Sequence, residues 1–164
     1  MYISDAGNEV DLKAEHINQY IRATSGEGFT AKNFRTWGAT YRCAERLAFL
    51  AEAQDAKSME KWVLEMPEVE SMEKLWTEGD WIPPNTETGR NKAMLAVIDT
   101  VAADLGNTRA VCRSSYIHPW FLDAWMGEHL LDKWKEFAGM RQLSGLSKGE
   151  SVTLRILKDL RNIA

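Results

Sequence analysis

The sequence predicts a mainly α-helical protein that forms a single domain. Apolar residues recur at alternating spacings of three and four over residues 34–51 and again over residues 94–105, which is the period of an amphipathic helix. Short extended pieces are expected only near the amino terminus. With 164 residues, of which 45% are apolar and 27% charged, the chain is long enough for one domain with its own hydrophobic core.

The first elements are predicted from turn residues and helix caps. The opening residues predict short extended pieces around Gly7-Asn8, at most a small β remnant. A first helix is expected over about 13–23 and ends before the glycines of residues 26–28. The second helix begins after the N-cap residue Thr30 and reaches about Ala53.

The later helices have equally clear boundaries. A third helix is expected over about 90–105, with Gly106 as its C-terminal stop. Thr108 predicts the start of a short helix that extends to Tyr116, and Pro119 suits the first turn of the next helix. The capping-box pattern of Ser147-Lys148-Gly149-Glu150 precedes the last helix.

Residues 55–87 differ in character from the rest of the chain. The run Ser58-Met59-Glu60-Lys61-Trp62 is echoed by residues 71–76, but two copies are too few for a solenoid. The prolines of Trp81-Ile82-Pro83-Pro84-Asn85 predict a loop. We expect residues 55–87 to be a surface insertion of one or two short helices with a solvated, glutamate-rich face.

Composition restricts the location and the partners of the chain. Cys43 and Cys112 have no metal-ligand spacing, and we expect both to be core thiols in a reducing cytosol. No apolar run approaches the ~18 residues of a membrane span, and the start lacks the features of a secretory signal. Because the net charge is −4, charge alone would not coat DNA, although a local basic face stays open. Neither a Gly-rich phosphate loop nor paired metal ligands occur.

Two segments carry a family resemblance. Thr30-Ala31-Lys32-Asn33-Phe34-Arg35-Thr36-Trp37 resembles the arginine-bearing helix of type IB DNA topoisomerases. Leu105-Gly106-Asn107-Thr108-Arg109-Ala110-Val111-Cys112-Arg113-Ser114-Ser115-Tyr116-Ile117-His118-Pro119 resembles the nucleophile segment of the bacterial, poxvirus-like branch. The order of the segments and the helices between them agree with that family. The resemblance implies the helical fold shared by type IB topoisomerases and tyrosine recombinases, and places residues 1–164 in its carboxy-terminal catalytic domain.

The resemblance assigns a chemical role to three residues. Tyr116 would attack a DNA phosphodiester and form a 3′-phosphotyrosyl bond, which stores the bond energy so that resealing needs no ATP or metal. Because a phenol with a pKa near ~10 is a poor nucleophile at neutral pH, the transition state must be stabilised. Arg35 would hold two non-bridging oxygens with its guanidinium fork, and Asn107 would donate a further hydrogen bond to them.

The resemblance also implies the partner of the chain. Double-stranded DNA is the expected substrate, and we expect the contacts to come from four basic residues beside Arg35: Lys32, Arg42, Arg109 and Arg113. We expect a cytoplasmic, nucleoid-associated monomer that needs no cofactor, no nucleotide and no membrane. Without the match, Arg35 would be read as part of a solvated helix face, and we expect such a face for much of Arg42 and Arg46. The family assigns no catalytic role to His118.

The sequence departs from the family in several places. Only about thirty residues precede Arg35, and none resembles the elements that carry a second arginine, the lysine general acid or the amino-terminal DNA clamp. We therefore expect the clamp to be absent and the activity of this chain alone to be impaired. Asn33 stands where Asp is usual, Arg109 where Pro is usual, and Ser114 where Lys or Arg is usual. The segment 55–87 is longer than expected of bacterial members.

Two alternatives stay open. A tyrosine recombinase or integrase shares the fold and the tyrosine chemistry, but it usually carries His-x-x-Arg, and none of the three histidines begins such a motif. A degenerate module of the same fold that binds DNA or another protein is the second alternative. The missing arginine and lysine favour this module, whereas the retention of Tyr116, Arg35 and Asn107 argues against a decayed site.

Overall fold

A computed structural model of the chain describes residues 2–3, 7, 9–10, 13–53, 56–77 and 84–163. The described residues are mainly helical, which confirms the predicted fold class. They separate into two compact units, Met1–Arg35 and Thr36–Ala164. None of the helices in the described part of the chain is long and apolar enough to cross a membrane.

The first unit contains a small hairpin and one helix. Strand β1 (Tyr2–Ile3) pairs antiparallel with β2 (Glu9–Val10), as the extended pieces around Gly7 predict. Helix α1 (Ala14–Ser25) follows and ends at Gly26. Within this unit the side-chain oxygen of Asn18 accepts a hydrogen bond of 3.0 Å from the backbone N–H of Ala31, and this bond connects α1 to the start of the next helix.

Helix α2 (Ala31–Glu52) supplies one wall of the core of the second unit. Its buried face runs through Ala39, Cys43, Leu47 and Leu50, all fully buried. Burial raises the pKa of the Cys43 thiol, since a thiolate would lose its hydration there. Cys112 is buried as well, so both cysteines are core thiols as predicted.

The predicted apolar face of α2 begins too early in the sequence. Phe34 is 52% exposed, whereas Ala44 and Ala48 of the same stripe are buried. The periodicity gives the helix but not the point at which its apolar face begins to be covered.

Helices α3 (Ala56–Leu64) and α4 (Glu70–Thr77) form the segment that was expected at the surface. Met59, Trp62 and Met72 are buried, and the ring of Trp62 stacks on that of Phe49 with centroids 4.9 Å apart. The two predicted short helices are confirmed, but a purely superficial position is wrong, because both helices insert apolar side chains into the core. The predicted loop at residues 81–85 lies outside the described residues as far as position 83.

Helix α5 (Glu87–Leu105) is the central helix of the second unit. Its predicted apolar face is confirmed by the burial of Met94, Val97, Ile98 and Val101. Small residues on its other sides are buried too, because α4, α6 and α7 pack around it. The helix therefore holds the neighbouring elements in place from several directions.

The carboxy-terminal elements follow the predicted caps. Helix α6 (Arg109–Val111) continues directly into a π-helical segment, π1 (Cys112–Tyr116), and α7 (Pro119–Met126) begins with the predicted proline. Helix α8 (Leu130–Ala138) packs against α9 (Lys148–Ile163). At the start of α9, the N–H groups of Ser147 and Glu150 each bond to the other residue's side chain, as in a capping box.

Candidate active site

The site begins with the turn that ends α5. Gly106 is left-handed, with φ 66° and ψ 33°, a conformation that glycine adopts without strain. Its N–H donates to the carbonyl of Ala103, and the N–H of Asn107 donates to the carbonyl of Ala102 at 2.9 Å. This pair of bonds is a Schellman motif, and it fixes the backbone of Asn107 immediately after the central helix.

The amide group of Asn107 is distinctive. Its Nδ2 atom is buried and has no hydrogen-bond partner in the part of the chain that the structure describes. A buried donor without an acceptor costs about 1–3 kcal/mol, so such groups are few in native proteins and call for a specific reason. An amide N–H in this state can still donate to an acceptor that gains access to it.

The tyrosine-bearing segment begins two residues later. The hydroxyl of Thr108 accepts from the N–H of Val111 at 3.3 Å and caps α6, as predicted. The helix then widens into π1, where the N–H of Ile117 donates to the carbonyl of Cys112 at 3.0 Å. Single π-turns inside helices are frequent at functional sites. The segment ends at Tyr116, whose side chain is half-buried and packs against the core.

Thr40 of α2 contacts the backbone on both sides of Ile117. Its hydroxyl donates to the carbonyl of Tyr116 at 3.1 Å and accepts from the N–H of His118 at 3.1 Å. The sequence motifs do not include Thr40, and its only signal is a threonine among the small buried residues of its helix. His118 itself caps α7, because its Nδ1 accepts from the N–H of Trp120.

A chain of polar contacts connects α4 to the start of α6. The guanidinium of Arg109 makes two hydrogen bonds to the carboxylate of Asp99, one of them 2.6 Å from Nε to Oδ1. The hydroxyl of Ser71 donates to the same carboxylate. Arg109, supported by Ser71, lowers the pKa of Asp99, while partial burial opposes this effect. The sequence motifs assign no role to Asp99 or Ser71.

Two arginines of α2, Arg42 and Arg46, have partners inside the second unit. Arg46 bonds to Thr100 and to Asp104, and its side chain is only 12% exposed. The expected solvated position is therefore wrong for Arg46. Arg42 donates to the carbonyl of Gly38 at 3.2 Å, lies 3.9 Å from Asp104 and stays 35% exposed.

Arg113 occupies the exposed side of π1. It lines a shallow groove of about 410 Å³ whose walls also include Ser114, Pro119 and Asp123. Arg113 and Ser114 are both exposed, so the groove is open to solvent along π1.

The first unit carries the remaining candidate residues. Lys32 is exposed and Arg35 is half-buried near the start of α2. The side-chain oxygen of Asn33 accepts from the N–H and from the hydroxyl of Thr30, at 2.9 and 3.0 Å. This carboxamide oxygen makes the capping contact that a carboxylate would make, so Asn in place of Asp preserves the helix start. The convergence of Arg35 with Asn107 stays a prediction.

A mainly helical domain with a tyrosine at the end of a capped segment fits the class of tyrosine-dependent DNA-cleaving enzymes that the two motifs resemble. The model of one protein family, described as "Eukaryotic DNA topoisomerase I, catalytic core", matches residues 5–124. Both motifs lie within this range, and the chain belongs to that family. Family membership makes DNA the expected substrate and an isomerase the expected kind of enzyme. A search of curated proteins found no match.

Proposed function

We propose that the chain is the catalytic domain of a type IB DNA topoisomerase of the bacterial, poxvirus-like branch. Tyr116 attacks a phosphodiester of double-stranded DNA, the bond from phosphorus to the 5′-oxygen breaks, and a 3′-phosphotyrosyl bond forms. The freed strand rotates, and attack by the 5′-hydroxyl then reverses the step. Because the covalent bond stores the energy, the cycle consumes no ATP.

The carrying observation is the folded form of the nucleophile segment. A Schellman turn presents Asn107, a capped helix follows, and a π-turn ends at Tyr116. The Nδ2 of Asn107 is buried and has no acceptor among the described residues, so it can serve as donor to a non-bridging phosphate oxygen once the side chain turns toward the DNA. An amide cannot act as an acid, so its contribution is electrostatic; removal of one such donor typically costs about 10²–10³ in rate.

The second donor in this proposal is Arg35. Its planar fork matches two oxygens of the crowded phosphorane, and a guanidinium stays charged at every working pH. The other proposed DNA contacts are Lys32, Arg42, Arg109 and Arg113. Of these, Lys32 and Arg113 are exposed, and Arg109 keeps 44% of its side chain exposed while it is paired with Asp99.

The leaving 5′-oxygen must gain a proton. None of the roughly thirty residues that precede Arg35 resembles the element that carries the lysine general acid of the family, and positioned acid catalysis is commonly worth about 10²–10⁴ in rate. We therefore propose that the chain alone relaxes supercoiled plasmid barely or not at all. A 5′-bridging phosphorothiolate expels a thiolate instead, which needs no proton, and it should restore the cleavage step.

The test is covalent capture of DNA on a denaturing gel. The parent chain should form an adduct with the phosphorothiolate duplex at least about 10²-fold faster than with the ordinary duplex. Tyr116→Phe should form none. The matched control is Tyr20→Phe, which also removes a phenolic hydroxyl, from a side chain of the first unit that is 71% exposed.

Two outcomes would overturn the proposal. If Tyr116→Phe gives as much adduct as the parent chain, another residue is the nucleophile. If the parent chain gives no adduct at saturating phosphorothiolate duplex, these residues do not perform the cleavage. Proteolysis of the adduct and mass spectrometry should locate the DNA on the peptide that contains Tyr116.

A further inference from the structure

The backbone around Ile117 passes from one helical segment to the next, and two of its polar groups lie at helix ends. π1 ends at Tyr116, and Ile117 is extended with φ −79° and ψ 128°. The carbonyl of Tyr116 therefore lies at a helix C-terminus, and the N–H of His118 precedes the first turn of α7. Groups at helix ends need partners from elsewhere.

One hydroxyl satisfies both groups. Thr40 is 3% exposed, and its Oγ1 lies 3.1 Å from the carbonyl oxygen of Tyr116 and 3.1 Å from the backbone nitrogen of His118. A hydroxyl has one hydrogen to donate and lone pairs to accept, so it donates to the carbonyl and accepts from the N–H. The two ends of this contact are 76 residues apart in the chain.

We infer that Thr40 is a positioning residue for the nucleophile: its hydroxyl holds the backbone of Tyr116 at the place from which the phenol attacks. This inference rests on the proposed function. The side chain of Ile117, 4% exposed, anchors the same turn from the core side. The hydroxyl adds a directional contact at the carbonyl of the nucleophile itself, and a displacement of roughly 1 Å at a reacting group can cost about 10²-fold in rate.

The experiment compares three variants with the parent chain. Thr40→Val keeps the shape and removes the hydroxyl, whereas Thr40→Ser keeps the hydroxyl. Thr153→Val is the matched control, because Thr153 is fully buried and its hydroxyl has no hydrogen-bond partner among the described residues. Its loss removes no such contact. The measured quantities are the rate of adduct formation with the phosphorothiolate duplex and the Kd for ordinary duplex.

The expected pattern separates positioning from binding. At saturating DNA, Thr40→Val should form adduct about 10²-fold more slowly than the parent chain. Its Kd for duplex should change by less than roughly threefold, since Thr40 is too buried to reach DNA. Thr40→Ser should recover most of the rate, and Thr153→Val should keep it.

Amide hydrogen exchange gives a readout that does not need activity. In Thr40→Val the N–H of His118 should exchange at least about tenfold faster than in the parent chain, since it loses its acceptor. The N–H of Ile117, bonded to Cys112, should stay protected. If Thr40→Val does not fold, Thr40→Ala replaces it in both measurements.

Each remaining outcome has a definite meaning. If Thr40→Val forms adduct as fast as the parent chain, the inference is overturned. It is equally overturned if Thr153→Val forms adduct as slowly as Thr40→Val. It is also overturned if neither Thr40→Val nor Thr40→Ala folds, since the hydroxyl would then serve folding alone. A parent chain without adduct overturns the proposed function itself, and this result is distinct from a difference between variants.

Discussion

The pair formed by Asp99 and Arg109 allows a quantitative test of how α4 and α5 support the start of α6. Asp99→Asn replaces one of the two carboxylate oxygens with an NH2 group. The negative charge is lost, and a donor then faces the guanidinium of Arg109. Ser71 also loses a charged acceptor. We expect the change to lower the free energy of unfolding and to loosen the start of α6.

The magnitude follows from the exposure of the two partners. Hydrogen bonds to charged groups contribute about 1.5–3 kcal/mol when well shielded, whereas exposed ion pairs contribute about 0–1 kcal/mol. The Asp99 side chain is 19% exposed and that of Arg109 is 44% exposed. An intermediate loss of about 1–2 kcal/mol is expected, which lowers the Tm of a domain of this size by roughly 3–6 °C.

The pH dependence of this difference has a definite sign. Arg109 lowers the pKa of Asp99 in the folded chain. The stabilisation is therefore complete above the unfolded carboxyl pKa of about 3.9 and is lost as the pH falls through the lower folded value. The gap in stability between the parent chain and Asp99→Asn should be full at pH 6–7 and shrink below about pH 4.

Urea denaturation followed by circular dichroism measures this free energy. The matched control is Asp123→Asn, which removes an exposed carboxylate from α7. A double-mutant cycle with Arg109→Gln should give a coupling of about 0.5 kcal/mol or more. If Asp99→Asn unfolds at the same urea concentration as Asp123→Asn at neutral pH, or if the coupling is zero, the pair does not stabilise the fold.

The remaining predictions concern the core and the DNA surface. Met72→Ala should cost about 2–5 kcal/mol of unfolding free energy, whereas Leu64→Ala, at a side chain 81% exposed, should cost less than about 0.5 kcal/mol; similar urea midpoints would contradict the core position of α4. Arg113→Gln should reduce the slope of log affinity for duplex DNA against log salt by about one, with Arg161→Gln as control in fluorescence anisotropy. An unchanged slope would exclude Arg113 as a phosphate contact.

Helix boundaries were predictable because local chemistry determines them. Gly106 ends α5 in the left-handed conformation, and Thr108, Pro119 and Ser147 mark the starts of the helices that follow. Each of these signals acts within about four residues, so tertiary packing does not need to be known. The π-turn at Cys112–Tyr116 was not predicted, because a widened turn has the same local composition as an ordinary one.

Burial in the segment of α3 and α4 was not predictable from its composition. The glutamates and lysines between Met59 and Met72 give it the character of a solvated face, yet both methionines are fully buried. Whether an amphipathic helix contributes to a core depends on the elements that cover its apolar face. Burial of Arg46 was equally unpredictable. This charged residue lies beside the apolar face of α2, but it bonds to Thr100 and Asp104 of α5 and is mostly buried.

The candidate site contains residues that match a sequence motif and residues that hold the motif residues in place. Tyr116 and Asn107 are recognisable because the proposed attacking group and the proposed donor must be particular side chains at a particular spacing. A residue that holds a backbone carbonyl needs only one hydroxyl at the right distance, so it leaves no pattern in the sequence. Thr40 has this character: within its helix it resembles any other small residue of the buried stripe, and only the contact across 76 residues distinguishes it. Residues of this kind are found when each buried carbonyl and N–H next to a proposed nucleophile is assigned its partner.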